Sequence, residues 1–169
     1  MEKTYLNWCE KVDISYKKEL EELKENLKEK EDRFYKSLEF GTGGLRGILG
    51  IGTNRMNVYT VRQATQGVAE YILSNNGQDK GFVIAYDTRH FSKEFALETA
   101  KVLTGNGIKT YLFEKAVPTP ELSFAVRELN TFGGIVITAS HNPAEYNGYK
   151  VYDSTGCQIT VEAANEIYR

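Results

Sequence analysis

Clustered positive charge is the first thing this 169-residue chain lacks. Lys and Arg total 21 against 23 Asp and Glu, a formal net charge of −2. A surface that neutralises a phosphate backbone needs a basic excess in one place, so nucleic acid is an unsuitable partner. The chain also has no apolar run long enough to span a bilayer and no signal-peptide pattern at its start. Membrane and secreted classes drop out, and a cytoplasmic protein is expected. Cysteine is scarce: Cys9 and Cys157 lie far apart without metal-type spacing, which fits two idle thiols in a reducing compartment. There is no internal repeat or low-complexity stretch. The length suits one domain with a substantial core.

The pattern changes once along the chain. About half of residues 1–39 are charged, and Tyr16, Leu20, Leu23 and Leu27 recur at helical spacing. One amphipathic helix is expected there, an extension packed on the domain that follows; its apolar stripe is too short for a coiled coil. From residue 40 to 169 strand and helix patterns alternate. Val61, Ala64, Thr65, Val68, Ala69 and Ile72 keep a helical period that Asn75-Asn76-Gly77 closes. The run 82–86 is a strand ending at Asp87. Ser92 is expected to cap the next helix, which carries Ala96, Ala100 and Leu103 inward and stops at Gly105-Asn106-Gly107. Residues 108–113 form another strand. Thr119-Pro120 reads as a cap and first-turn pair for a helix with Leu122, Ala125, Val126 and Leu129 inward. A strand leading from Gly133 to Ser140, a further strand near Tyr149–Tyr152 and a last helix from about Thr160 complete the series. Such alternation implies an α/β fold: a three-layer α/β/α domain with a mixed, mostly parallel sheet, preceded by the charged N-terminal helix.

The densest chemistry lies in Gly133–Tyr152. Ile135-Val136-Ile137 reads as a fully buried strand, and chemistry in such sheets gathers beyond the carboxyl ends of strands. Ser140, His141, Asn142 and Pro143 fall there, with Lys150 ten residues past the serine. Three loops accompany them. In Phe40–Gly47 glycine backbone offers N–H groups and Arg46 a fork for phosphate oxygens. The Lys-Ser/Thr ending of a P-loop is missing, as is the spacing of a dinucleotide fingerprint; alone, this loop is a glycine turn with a surface arginine. In Asp87-Thr88-Arg89-His90, Asp87 and Arg89 are expected to pair and stiffen the turn, while His90 reads as solvated. Asn147-Gly148 suits a tight hairpin turn ahead of Lys150.

A Ser140–His141 hydrolase dyad fits poorly. Neighbours on an extended segment point to opposite sides, and no Gly-x-Ser-x-Gly elbow is present. A serine that carries a phosphoryl group instead needs a cation and a proton-transfer partner. That reading uses Ser140, His141, Arg46 and Lys150 together, where an esterase uses two.

These residues carry a resemblance. Thr138-Ala139-Ser140-His141-Asn142-Pro143, followed by Tyr146-Asn147-Gly148-Tyr149-Lys150, resembles the active-site serine motif of the α-D-phosphohexomutases, the phosphoglucomutase/phosphomannomutase superfamily. Phe40–Gly47 is similar to that family's N-terminal motif, and the extension with Trp8 resembles a subgroup that includes phosphopentomutase-like members. The resemblance covers about residue 40 onward. It implies an intramolecular phosphotransferase of the isomerase class: Ser140 held as phosphoserine, a hexose phosphate interconverted between its 1- and 6-positions through a sugar 1,6-bisphosphate, glucose preferred and mannose possible. His141 and Lys150 take the acid/base positions and Arg46 a phosphate contact. Thr42, Gly43 and Asn142 join Arg46 and Lys150 in phosphate binding, Asp87 and Arg89 form a supporting loop, and Mg²⁺ sits on the Ser140 phosphate.

Such mutases have four domains, and this chain matches the first. The Asp-rich metal loop and the loops that select sugar and bind the second phosphate have no counterpart here. The chain alone is expected not to complete the cycle, to need domains II–IV as partners, and to be open to self-association through surfaces meant for them. A phosphopentomutase-type enzyme, a glucose 1,6-bisphosphate-forming member and a non-catalytic sugar-phosphate-binding module are the alternatives.

Overall fold

The computed structural model describes residues 1–41 and 43–168. The charged N-terminal segment is three short helices rather than one: α1 (Glu2–Lys11), α2 (Ile14–Glu22) and α3 (Leu27–Phe34). Two capping residues cut the pattern. Asp13 accepts from the backbone N–H of Ser15 and starts α2, and Asn26 accepts from that of Glu29 and starts α3. Such side chains compete with a continuing helix for backbone hydrogen bonds. The expected stripe therefore breaks at Leu27, which is 67% exposed. The three helices close over their own core of Tyr5, Val12, Leu20, Leu23 and Phe34, joined by Ile51 from the following domain.

Two arginines, Arg33 half-buried and Arg55 buried, staple α3 to the segment 49–57. Arg33 reaches Glu19, Glu29 and the Ile51 carbonyl; Arg55, 6% exposed in its side chain, reaches Asp32 and Glu29. Asn57 then donates to the carbonyls of Gly50, Gly52 and Arg55 and caps the helix after it.

The main body is an α/β domain. Its strands are β1 (Gly44–Ile48), β2 (Phe82–Tyr86), β3 (Thr110–Leu112), β4 (Gly133–Ile137) and β5 (Tyr146–Asp153), ordered β1-β5-β4-β2-β3. β4, β2 and β3 run parallel, while β5 is antiparallel to both β4 and β1. Four strands thus share one direction and β5 alone opposes them. Asn147-Gly148 lies inside β5 and not in a hairpin turn: the chain reverses earlier, where the Tyr146 N–H bonds the Pro143 carbonyl.

Helices α4 (Val58–Ser74), α5 (Ser92–Gly105) and α7 (Val161–Tyr168) cover one face of the sheet, and α6 (Thr119–Glu128) the other. β2 and β4 are buried along their whole length, as strands covered on both faces must be. Two caps differ from expectation. Ser92 is the first residue of α5, with Phe91 in the left-handed region ahead of it and the Ser92 hydroxyl committed elsewhere. α6 begins at Thr119, so Pro120 is its second residue and Pro118 precedes the helix. Leu129 closes α6 from outside and is 47% exposed.

Candidate active site

α6 packs on β2 and β4, and among the described residues no helix covers the β5–β1 half of that face. Register fills this half with two cations. Arg46 of β1 lies opposite Gly148 of β5, and Gly44 opposite Lys150. Directly paired residues share a face, and alternate residues return to it, so Arg46 and Lys150 are diagonal neighbours on one face, roughly 7–8 Å apart. Each faces a glycine across the ladder. A Cβ at Gly44 (φ +150°) would fall 1.9 Å from the Tyr149 carbonyl oxygen, and one at Gly148 would fall 2.5 Å from that of Thr138. The bare backbone lets the strands close while leaving the cations uncovered. Together they line an open cleft of about 420 Å³ with Gly43, Lys36, Asn54 and Gln158.

Ser140 stands at the end of this face. Beyond β4 the chain turns sharply, putting Ser140 at φ +56°, a left-handed conformation uncommon for a residue with a side chain. The Ser140 N–H donates to Thr138 Oγ1 at 2.9 Å, and Lys150 Nζ donates to Ser140 Oγ at 2.6 Å. Partial burial and, second, the Arg46 cation hold the Lys150 ammonium below the ordinary lysine range.

A second arginine grips the serine loop from behind. Arg89 donates to four carbonyls, those of Ser140 (2.8 Å), Asn142 (2.6 Å), Pro143 (2.9 Å) and Tyr146 (3.2 Å). Asp87 steadies it: Oδ1 accepts from the Arg89 N–H at 2.9 Å, and Oδ2 lies 3.5 Å from Arg89 Nε. β2 and β4 are parallel neighbours, so their carboxyl ends bring residues 87–90 beside the serine loop.

The structure thus joins Ser140 to Lys150 directly and sets Arg46 on the same face. His141 is exposed and makes no side-chain hydrogen bond among the described residues. Gly43 (φ +86°) accepts from the Val151 N–H, tying the glycine loop to β5. Asn142 is half-buried, and its Oδ1 has no partner among the described residues. Thr42 lies outside the described residues. Sequence reasoning missed Thr138, Ser92 and Asn147. Asn147 is fully buried on the face of β5 that carries Tyr149 and Val151; a polar residue at the head of that period-2 row was its signal. Cys9 is half-buried and Cys157 exposed, both free.

A model of "phosphoglucomutase/phosphomannomutase, alpha/beta/alpha domain I" matches residues 37–169. The chain belongs to that family. A phosphoglucomutase of Staphylococcus aureus (strain bovine RF122 / ET3-1) is 45% identical over 157 residues, 93% of this chain and 28% of the relative; that of strain USA300 is 44% identical over the same length. The chain therefore spans little more than a quarter of these relatives. Among solved structures, a Thermus thermophilus protein assigned provisionally as a phosphomannomutase superposes with TM-score 0.72 at 37% identity, over 78% of this chain and 29% of that one. A phosphoglucomutase/phosphomannomutase family protein from Burkholderia thailandensis gives 0.65 at 26%, over 76% and 28%. The layered arrangement, with helices on both faces of the sheet, agrees with the alpha/beta/alpha description of that family model. No described helix is long and apolar enough to cross a membrane.

Proposed function

We propose that this chain is the serine-bearing domain of a phosphosugar mutase, with Ser140 Oγ as phosphoryl carrier and a hexose phosphate, glucose before mannose, as substrate. The observation that carries the reading is the 2.6 Å contact from Lys150 Nζ to Ser140 Oγ, with Arg46 on the same open face. The glucose preference is supported by the relatives at 45% and 44% identity, which are named phosphoglucomutase.

The transfer balances on these groups. A sugar hydroxyl attacks the phosphorus on Ser140; the new O–P bond forms as the P–Oγ bond breaks. Lys150, within hydrogen-bond reach of Oγ, gives its proton to the departing oxygen. His141, exposed beside the serine, is assigned to take the proton of the attacking hydroxyl. Arg46 spreads the charge of the equatorial oxygens. The bisphosphorylated sugar then presents its other phosphoryl group, and the same steps run in reverse.

Mg²⁺ fits this chain only in part. The described residues hold no group of three or more His, Cys, Asp or Glu able to bind a metal. Asp87, which lines the cavity beside Ser140, is committed to Arg89 and Ser92. A Ser140 phosphate would offer one oxygen, short of the carboxylate-assisted octahedral set Mg²⁺ takes, and no step above runs through a metal.

Intact mass with peptide mapping tests the proposal. The expected result is one phosphate on Ser140, transferable to glucose 1-phosphate when the rest of the enzyme is supplied. A phosphate elsewhere, or one inert to sugar phosphate, overturns it.

A further inference from the structure

Lys150 and Ser140 come from different segments, and nothing in the strand ladder alone sets the serine oxygen against the ammonium. β5 carries Lys150 inward from its start, whereas the serine loop leaves the sheet beyond β4 and turns through a left-handed residue. A brace between the two lies beneath them, on the opposite face of β5. Asn147 Nδ2 donates to the His90 carbonyl at 2.9 Å and to Ser92 Oγ at 3.0 Å, while its Oδ1 accepts from the Gly148 N–H at 2.7 Å. Ser92 Oγ passes the link on, donating to Asp87 Oδ1 at 2.7 Å. Asp87 holds Arg89, and Arg89 holds the four carbonyls of the serine loop.

Asn147 and Ser92 are both fully buried, where each unpaired donor is costly. Their amide and hydroxyl are nevertheless fully used, and a closed, satisfied polar network of this kind fixes one geometry. The path runs from the lysine strand through the start of α5 and the end of β2 to the serine loop, and closes at the Lys150–Ser140 contact. Arg89 thereby spends its donors on carbonyls, while Arg46 and Lys150 face the open cleft.

We propose that Asn147 and Ser92 are positioning residues that hold Ser140 at Lys150 through Asp87 and Arg89. The proposal rests on the phosphoryl-transfer reading for its kinetic consequence and on geometry alone for its structural one. Misplacing reacting groups by an ångström costs about 10²-fold in rate.

The experiment uses full-length protein with Asn147→Ala and Ser92→Ala, the second removing one hydroxyl and serving where the first folds poorly. The rate of phosphoryl transfer from phosphorylated Ser140 to glucose 1-phosphate, read in a single turnover, is expected to fall about 10²-fold, with KM changed less than about twofold and the active fraction intact. Amide exchange should quicken in residues 138–148 and stay unchanged in α1–α3. Unaltered transfer with unaltered exchange overturns the proposal, as does a rate loss matched by an equal loss of folded protein. If the unmutated protein transfers no phosphoryl group, the functional reading fails, and the exchange pattern alone decides whether the brace holds the loop.

Discussion

At the scale of single residues, the two cations on the bare half-face act on one another. Burial and Arg46 both push the Lys150 pKa down. Removing the guanidinium favours the charged lysine, so Arg46→Gln should move its titration upward, toward the ordinary value. Phosphorylating Ser140 places negative charge at hydrogen-bond distance and should raise it further. Titration of the Lys150 Cε resonance by NMR in loaded and unloaded protein checks both; a downward move on phosphorylation contradicts the arrangement. Gly44 gives a stability test. Its Cβ would strike the backbone of β5 and its φ is +150°, so Gly44→Ala should cost about 1–3 kcal/mol, read as a lower midpoint in denaturant unfolding.

Among the elements, α3 ties the N-terminal helices to the domain through Arg33 and Arg55. Arg55→Ala leaves Glu29 and Asp32 facing each other without their shared cation. Both carboxylates are part-exposed, so the loss should be nearer about 1–2 kcal/mol than the full value for a buried pair. Hydrogen exchange should quicken across Leu27–Phe34 and leave β2 and β4 unchanged; uniform quickening would mean the staple supports the whole fold. The elements also mark where sequence was a good guide. α4, β2, β4 and the alternation behind the layered sheet were legible because apolar period and burial agree there, as Val61, Val68 and Ile72 illustrate. The break of the first segment into three helices was not, since Asp13 and Asn26 act locally beneath a plausible long stripe. Ser140 and Lys150 could be singled out as types in a motif; their 2.6 Å contact depends on the antiparallel return of β5. Asn147-Gly148 misled because the dipeptide favouring a tight turn is here a buried amide and a gap for Thr138.

For the molecule as a whole, the incomplete wall around the cleft decides what the chain does alone. It covers 28% of the length of its Staphylococcus aureus relatives, and its described residues hold no cluster able to complete a metal site. The purified 169-residue chain should therefore not interconvert glucose 1- and 6-phosphate at an enzyme-like rate, as a coupled assay would show, while still accepting phosphate at Ser140.

The bare face has a thermal consequence. Unloaded, the folded chain keeps the half-buried Lys150 and the exposed Arg46 close together, a repulsion that the unfolded chain escapes. A phosphoryl group on Ser140 turns that repulsion into attraction only in the folded state, so it acts as a covalently tethered stabilising ligand. Loaded chain should melt at a higher temperature than chain treated with phosphatase, and the gap should shrink in high salt and in Arg46→Gln. A melting curve would then gauge how many molecules carry their phosphate.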